Sequence, residues 1–365
     1  MNRLILDYAK TDLRVPTLEI AEQWHGVYAK HPEKPYLRFT PVKGGARDRD
    51  NQWDWHDLGF RAGRTNVWRD GSGGLKLLSS AVPPQTIHAG RLKALVLDWA
   101  GTTVDYGSLA PARTLQQLFA KMQITLTESE TRRDMGLPKK DHIRGILSMP
   151  RVRDSWQELR GHTPSEADVE EMYNEFIPLQ FSCLAEYSTV IPGVAEALQR
   201  FRQRGLKIGS TTGYTRAMLD LLVEQSAKNG YSPDCSLSPE EVGAGRPLPF
   251  MMYESAVKLQ VYPMAALAKI GDTPIDIHEG LNAGAWSIGV AGTGNMIGLS
   301  LEDFHSLSES EREARLAHAR VELQKAGAHY VVDTLADVDA VLDDIDYRLK
   351  SIGKSHKPLR KKHMQ

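Results

Sequence analysis

Asp98 closes the apolar run from Leu92 to Leu97, and two further polar clusters lie far downstream: Ser210-Thr211-Thr212-Gly213 and Gly271-Asp272-Thr273-Pro274-Ile275-Asp276. Together they carry the residue types that hold and attack a phosphoryl group. A carboxylate can act as the nucleophile, and Asp98 is the candidate. Thr212 and the Gly213 amide would hold phosphoryl oxygens, while Arg246, in Gly243-Ala244-Gly245-Arg246-Pro247, would neutralise their charge. A hard cation completes the set. Mg²⁺ takes oxygen ligands and keeps several waters, so Asp98, Asp272 and one backbone carbonyl are enough protein ligation. Gly101 allows a tight turn after the strand, and Thr102 and Thr103 offer donors to an anion. Each residue also has an ordinary alternative: Asp98 and Thr212 as strand-end turn residues, Arg246 in a surface ion pair, Asp272 as a helix cap before Pro274.

An open parallel sheet would bring these clusters together, because the carboxyl ends of its strands converge on one edge, where loops and helix N-termini form a crevice. The run Leu92 to Leu97 is short, apolar and partly β-branched, which suits a strand buried on both faces. Later segments alternate. Helices are predicted from Val194 to about Gly205, Arg216 to Lys228, Phe250 to Leu259 and Pro274 to Ala283. Strands are predicted at Leu206 to Thr212, Ala265 to Gly271, Trp286 to Val290 and His329 to Val332. This rhythm predicts an α/β fold, a Rossmann-like doubly wound parallel sheet. The rhythm is interrupted after the first strand. Ala110-Pro111 opens a helix, and Ile143, Ile146 and Leu147, then Val169, Met172, Tyr173, Phe176 and Leu179, recur at helical spacing. An all-helical insertion is expected there.

That insertion contains Met135-Gly136-Leu137-Pro138-Lys139-Lys140-Asp141-His142, a lysine pair beside a histidine in the segment best placed to cap the site. A lysine in a dry pocket loses proton affinity and can form an imine with an aldehyde or ketone; in water both lysines would be ordinary helix-surface residues. His142, three positions from Lys139, would share its helical face and could shuttle protons.

In this order, the motifs resemble the haloacid dehalogenase superfamily of aspartate-nucleophile phosphotransferases, over about residues 91 to 340. In most phosphatases of that superfamily a second aspartate, two positions after the nucleophile, protonates the leaving group. Here that position is Ala100, whose carbonyl could still ligate Mg²⁺. Asp98-Trp99-Ala100-Gly101-Thr102-Thr103-Val104-Asp105-Tyr106-Gly107, Met135-Gly136-Leu137-x-Lys139-x-Asp141-His142, Ser210 to Arg216 and Gly245-Arg246-Pro247 resemble the phosphonoacetaldehyde hydrolase family, the phosphonatases. The resemblance assigns the Schiff base to Lys139 rather than Lys140, puts Met135 and Tyr214 along the site, and implies a homodimer formed through the caps. Asp276 and Thr273 are candidates to stand behind the metal ligands, Asp276 orienting lysine or backbone groups around the metal, with a helix-surface aspartate as the ordinary alternative. Relatives can carry cysteine where this chain has Ser108. The implied reaction is hydrolysis of phosphonoacetaldehyde to acetaldehyde and phosphate with Mg²⁺ and no organic cofactor. Expulsion of a carbanion becomes feasible because a protonated imine accepts its electrons, so an acid at position 100 is not needed. Two alternatives remain at this point: an Mg²⁺-dependent phosphomonoesterase using the same aspartate, and a non-catalytic phosphonate-binding protein.

The expected boundaries are a catalytic core from residues 91–107 and 191–348, a helical cap at 108–190, an irregular or disordered extension at 1–90, and a basic tail at 349–365. At 365 residues, 41% hydrophobic and 25% charged, the chain can bury a sizeable core. A net charge of -1 argues against nucleic acid, and no run approaches a membrane span. Two distant cysteines, Cys183 and Cys235, and the lack of a signal-peptide core suggest a cytoplasmic protein.

Overall fold

The computed structural model describes residues 90–355 and six short strands between residues 3 and 78. The chain divides into two compact units, Met1–Pro84 and Gln85–Gln365.

The first unit holds β1 (Arg3–Asp7), β2 (Gly26–Lys30), β3 (Leu37–Pro41), β4 (Phe60–Ala62), β5 (Thr65–Arg69) and β6 (Leu75–Leu78) in one sheet, ordered as in the sequence. β1 and β2 are parallel, and the later neighbours pair antiparallel. This differs from the expectation of an irregular or disordered stretch over residues 1 to 90. Strands of three to five residues are too short to produce a sustained period in the sequence. The aromatic piece Trp53-Asp54-Trp55, read as a segment that could dock elsewhere, lies outside the described residues.

The second unit is built on six parallel strands: β7 (Ala94–Leu97), β8 (Lys207–Thr211), β9 (Cys235–Leu237), β10 (Leu267–Gly271), β11 (Trp286–Val290) and β12 (Tyr330–Val332), in the spatial order β12-β11-β10-β7-β8-β9. β7 is central, and all four of its residues are buried. Its alternate side chains enter different cores. Leu95 and Leu97 pack with Leu198, Phe201 and Leu222, whereas Ala94 and Val96 pack with Met252, Ala256 and Leu259. A strand covered on both faces reads as a continuous apolar run, which is how Leu92 to Leu97 reads. The fold is therefore α/β with a Rossmann-like parallel core.

Five helices lie between β7 and the next core element: α1 (Leu109–Lys121), α2 (Glu128–Arg132), α3 (Lys139–Leu147), α4 (Pro150–Arg160) and α5 (Glu166–Leu184). α5 packs on both α1 and α3, and Phe119, Ile143, Ile146, Met172 and Phe176 are fully buried among them. The chain then continues through α6 (Val194–Gln203), α7 (Arg216–Ala227), α8 (Phe250–Lys258), α9 (Pro274–Ala283), α10 (Leu301–Ser306), α11 (Glu309–Lys325) and α12 (Asp339–Ser355). The tail assigned to residues 349–365 thus begins as helix, and positions beyond 355 lie outside the described residues. Among the described residues no helix is long and apolar enough to cross a membrane.

Candidate active site

Asp98 follows β7 directly, and its surroundings fix it from several sides. Its amide donates to the Ile270 carbonyl at 2.9 Å, and Thr103 Oγ1 donates to its carbonyl at 2.9 Å. On one side Ser210 Oγ bonds the Leu97 carbonyl at 2.8 Å; on the other the buried Trp99 ring meets Tyr231 edge-on, with centroids 5.1 Å apart. The side chain projects into a cavity shared with Ala100, Met135, Lys139, Thr212, Gly213, Tyr214, Arg246, Asp272 and Thr273. Burial pushes the Asp98 carboxyl above its usual range, with Arg246 pulling the other way.

Asp272 reaches the same place from the end of β10. Thr273, not Asp272, caps α9: its hydroxyl accepts from the Asp276 amide, and the Asp276 carboxylate bonds back to Thr273. Asp272 is therefore left for the cavity, its Oδ2 accepting from the Asn295 amide at 2.6 Å and its Oδ1 facing Thr102 Oγ1 at 3.4 Å. The hydroxyls of Thr102 and Thr103, read from the sequence as donors to an anion, are used inside the protein, Thr102 on Asp272 and Thr103 on the carbonyls of Asp98 and Trp99. The backbone crowds Asp272 closely. A β-carbon at Gly101 (φ +85°) or at Gly294 would collide with it.

Asp98, Asp272 and Asp276 offer carboxylate oxygens within 4.8 Å of one another. This all-oxygen donor set suits a hard divalent cation. The charge balance suits it too, since four buried carboxylates (Asp98, Asp272, Asp276, Glu279) face three buried basic side chains, Arg246, Lys269 and Lys139. Burial and the neighbouring Asp98 hold the Asp272 carboxyl well above its ordinary value, a strain that a divalent cation would relieve. Asp276 is already engaged. Its Oδ1 lies 2.8 Å from Arg246 Nη1 and 3.0 Å from Lys269 Nζ, and these two cations hold its carboxyl below the usual range against the effect of burial.

Arg246 is buried and reaches Asp98 Oδ1 with Nη2 at 2.7 Å and Glu279 Oε2 with Nε at 3.1 Å, besides Asp276. Lys269, Glu279 and Asn295 were not singled out in the sequence. A lysine inside the otherwise apolar strand Leu267-Ala268-Lys269-Ile270-Gly271 was the available signal, because a buried ammonium requires carboxylate partners.

The insertion closes over this edge. Its loop Gly136-Leu137-Pro138 is so near the core that a β-carbon on Gly213 would lie 2.7 Å from the Leu137 carbonyl oxygen, and one on Gly136 (φ +96°) 2.7 Å from Thr273 Oγ1. The two neighbouring lysines then diverge. Lys139, the first residue of α3, is buried in the cavity with Nζ 5.0 Å from the centre of the Tyr214 ring, whereas Lys140 is half-buried at the surface and pairs with Glu170. Burial lowers the Lys139 pKa to about 8, with Asp98 opposing the change.

His142 is fully buried with Nε2 2.9 Å from the Thr131 carbonyl oxygen. A carbonyl only accepts, so Nε2 carries the proton and Nδ1 is a bare acceptor, buried and without a hydrogen-bond partner. Burial and the Lys139 charge lower its pKa to about 3, so the ring is neutral. Ser108 also lines the cavity, at the junction where Asp105 accepts from the amides of Leu109 and Ala110, both at 3.0 Å, and starts α1.

A family profile for haloacid dehalogenase-like hydrolase matches residues 92–284. The chain is 42% identical over 256 residues to the phosphonoacetaldehyde hydrolase of Bacillus cereus, covering 70% of this chain and 97% of the relative. It is 44% identical over 263 residues to that of Nitratidesulfovibrio vulgaris, covering 72% and 94% respectively. The crystal structure of a phosphonoacetaldehyde hydrolase-like protein from Oleispira antarctica matches with a TM-score of 0.72 at 38% identity, over 75% of this chain and 98% of that one. With relatives matched along nearly their whole length, the likeness seen in short motifs extends across core and insertion alike, and this chain is a hydrolase belonging to the phosphonoacetaldehyde hydrolase family of haloacid dehalogenase-like hydrolases.

Proposed function

We propose that the protein hydrolyses the carbon-phosphorus bond of phosphonoacetaldehyde to give acetaldehyde and phosphate. The observation that carries this reading is a buried lysine, Lys139, in the cavity that also holds Asp98, opposite a position 100 that has no acidic side chain. An alkoxide leaving group calls for an acid near Asp98; a carbanion leaving group calls for an electron sink. An imine on Lys139 supplies the sink.

The placement of the side chains supports the following steps. Neutral Lys139 adds to the aldehyde carbon and water leaves, with His142, three residues further along α3, assigned to shuttle protons in its neutral form. Asp98 then attacks phosphorus in line. As its oxygen-phosphorus bond forms, the electrons of the carbon-phosphorus bond move into the protonated imine and leave as a neutral enamine. Thr212, the Gly213 amide and Arg246 hold the equatorial oxygens, and Met135 and Tyr214 keep water from the imine. Water hydrolyses the aspartyl phosphate, and the enamine is protonated to an imine and hydrolysed to acetaldehyde. Asp98, Asp272 and the Ala100 carbonyl would hold Mg²⁺, oriented by Asp276 and Thr273, and when bound it supplies charge neutralisation at the phosphoryl oxygens. We further infer a cytoplasmic homodimer joined through the cap helices. Two free cysteines suit a reducing compartment, and the dimer rests on family kinship.

The test is intact mass after incubation with phosphonoacetaldehyde, Mg²⁺ and borohydride, with phosphate and acetaldehyde followed in a sample without borohydride. A reduced two-carbon adduct mapping to Lys139, together with both products, is expected. Phosphate from simple phosphomonoesters with no adduct would overturn the reading in favour of a phosphomonoesterase, and binding of phosphonate without turnover in favour of a binding protein.

The acidity of Lys139 adds a second expectation. Only the neutral amine adds to the aldehyde, and with a pKa lowered to about 8 the amine is mostly protonated at neutral pH. Asp98 and Asp105 favour the charged form, Arg246 and burial the neutral one. The value of kcat/KM should rise about tenfold per pH unit below pH 8 and level off above it. A limb near the ordinary lysine value, or a flat profile from pH 6 to 9, would show that Lys139 is not the group that must lose its proton.

A further inference from the structure

We propose that Lys269, Glu279 and Thr211 form a buried clamp that sets the Arg246 guanidinium against Asp98, and that this clamp serves the phosphorus step and not the imine step. The inference rests on the reaction proposed above and assigns work to three residues that reaction does not use.

The charged groups lie close together in a buried cluster. Glu279 lies three residues after Asp276, so both carboxylates face the same way from α9. Between them stand the two cations. Glu279 Oε2 is 3.1 Å from both Arg246 Nε and Lys269 Nζ, and Asp276 Oδ1 is 2.8 Å from Arg246 Nη1 and 3.0 Å from Lys269 Nζ. Thr211 joins the two halves, its hydroxyl accepting from Lys269 Nζ and Arg246 Nη2, both at 2.8 Å, and donating to Glu279 Oε2 at 3.1 Å. The Thr211 carbonyl accepts from Arg246 Nη2 as well. Arg246 therefore has Nε and Nη1 within ion-pair distance of carboxylates behind it, Nε without a hydrogen bond of its own, and Nη2 reaches forward to Asp98. The packing leaves little slack. A β-carbon on Gly280 would lie 2.8 Å from Lys269 Cβ, so α9 presses directly on the lysine stem.

This arrangement answers a physical difficulty. A guanidinium that must stabilise a moving phosphoryl group gains most if it does not reorient during transfer. Arg246 sits in a loop between β9 and α8, outside any strand or helix. Lys269 and Glu279 stand on a strand and a helix and supply that rigidity, while the Lys269 charge lets two carboxylates be buried behind Arg246. Lys139 approaches from the cap with its ammonium over the Tyr214 ring, in a cavity that Lys269, Glu279 and Thr211 do not line, which is why the two steps should separate.

The experiment compares the parent with Glu279→Gln and Glu279→Asp in the full chain with Mg²⁺. Glu279→Gln keeps the size and an oxygen beside Arg246 Nε but removes the charge that holds both cations. It should lower kcat for phosphate release about tenfold to a hundredfold. It should also weaken inorganic phosphate binding, read by calorimetry, by about tenfold, and leave the borohydride-trapped adduct at Lys139 forming at the parent rate. Glu279→Asp, which restores the charge one methylene short, should recover part of kcat. Glu279→Gln with parent kcat and parent phosphate affinity overturns the clamp. Equal loss of adduct and phosphate release, with a lowered unfolding temperature, also overturns it, because that is general damage. A parent protein that forms no adduct denies the proposed reaction instead, and phosphate calorimetry then decides the clamp by itself.

Discussion

Lys139→Arg is expected to release phosphate from phosphonoacetaldehyde roughly 10⁴-fold more slowly than the parent and to give no borohydride-trapped adduct. Arginine keeps the positive charge and nearly the same apolar stem, so the balance against Asp98 in the buried cavity is preserved. The guanidinium retains its proton and does not add to aldehydes under these conditions. Without an imine the carbon-phosphorus bond would have to expel a free carbanion, and no acid at Ala100 can help. The parallel variant Lys140→Arg is the control. Lys140 is half-buried at the surface and bonded to Glu170, so its replacement should leave turnover within about twofold. Residual activity of Lys139→Arg above about one per cent would remove the imine from the mechanism. Equal losses in both variants would point to damage in α3 rather than to lost chemistry.

Much of this arrangement could be read in the sequence, and the parts that could not have physical causes. Strands buried on both faces announce themselves as apolar runs, and Trp286–Val290 and Pro274–Ala283 have the limits expected from residue pattern alone. Asp98, Thr212 and Asp272 were legible because each ends such a run at one sheet edge. β9, Cys235–Leu237, is a half-buried edge strand of three residues, too short to leave a pattern. α11 escaped for another reason: only Ala319 and Leu323 are buried in its 17 residues, so it has almost no apolar stripe. The clamp was hidden because its members are functional only in combination. Lys269, Glu279, Asp276, Thr211 and Arg246 meet through the fold, and nothing in their spacing shows that two cations and two carboxylates share one dry volume. The divergence of Lys139 and Lys140 also depends on where α3 begins, since that sets which side chain enters the cavity.

Asp98→Asn divides the reaction at its other half. Phosphate release should fall by about 10⁴-fold to 10⁶-fold, the scale seen when an enzyme loses its nucleophile, because an amide does not form the acyl phosphate. Adduct formation at Lys139 should survive, and its pH limb should move. The Asp98 charge favours protonated Lys139, so its removal lowers the lysine pKa below about 8 and increases the neutral fraction at pH 7. The variant should therefore trap adduct at least as fast as the parent at neutral pH while releasing almost no phosphate. The backbone around Asp98 is held by Ile270, Thr103 and Ser210 independently of its carboxylate, so the fold should persist. Arg246 loses a charged partner but keeps Asp276, Glu279 and Thr211. Rapid adduct with no phosphate would separate imine formation from phosphoryl transfer within one cavity. Loss of both together would mean that Asp98 is needed to bind the substrate before either step begins, and undiminished phosphate release would remove it as the nucleophile.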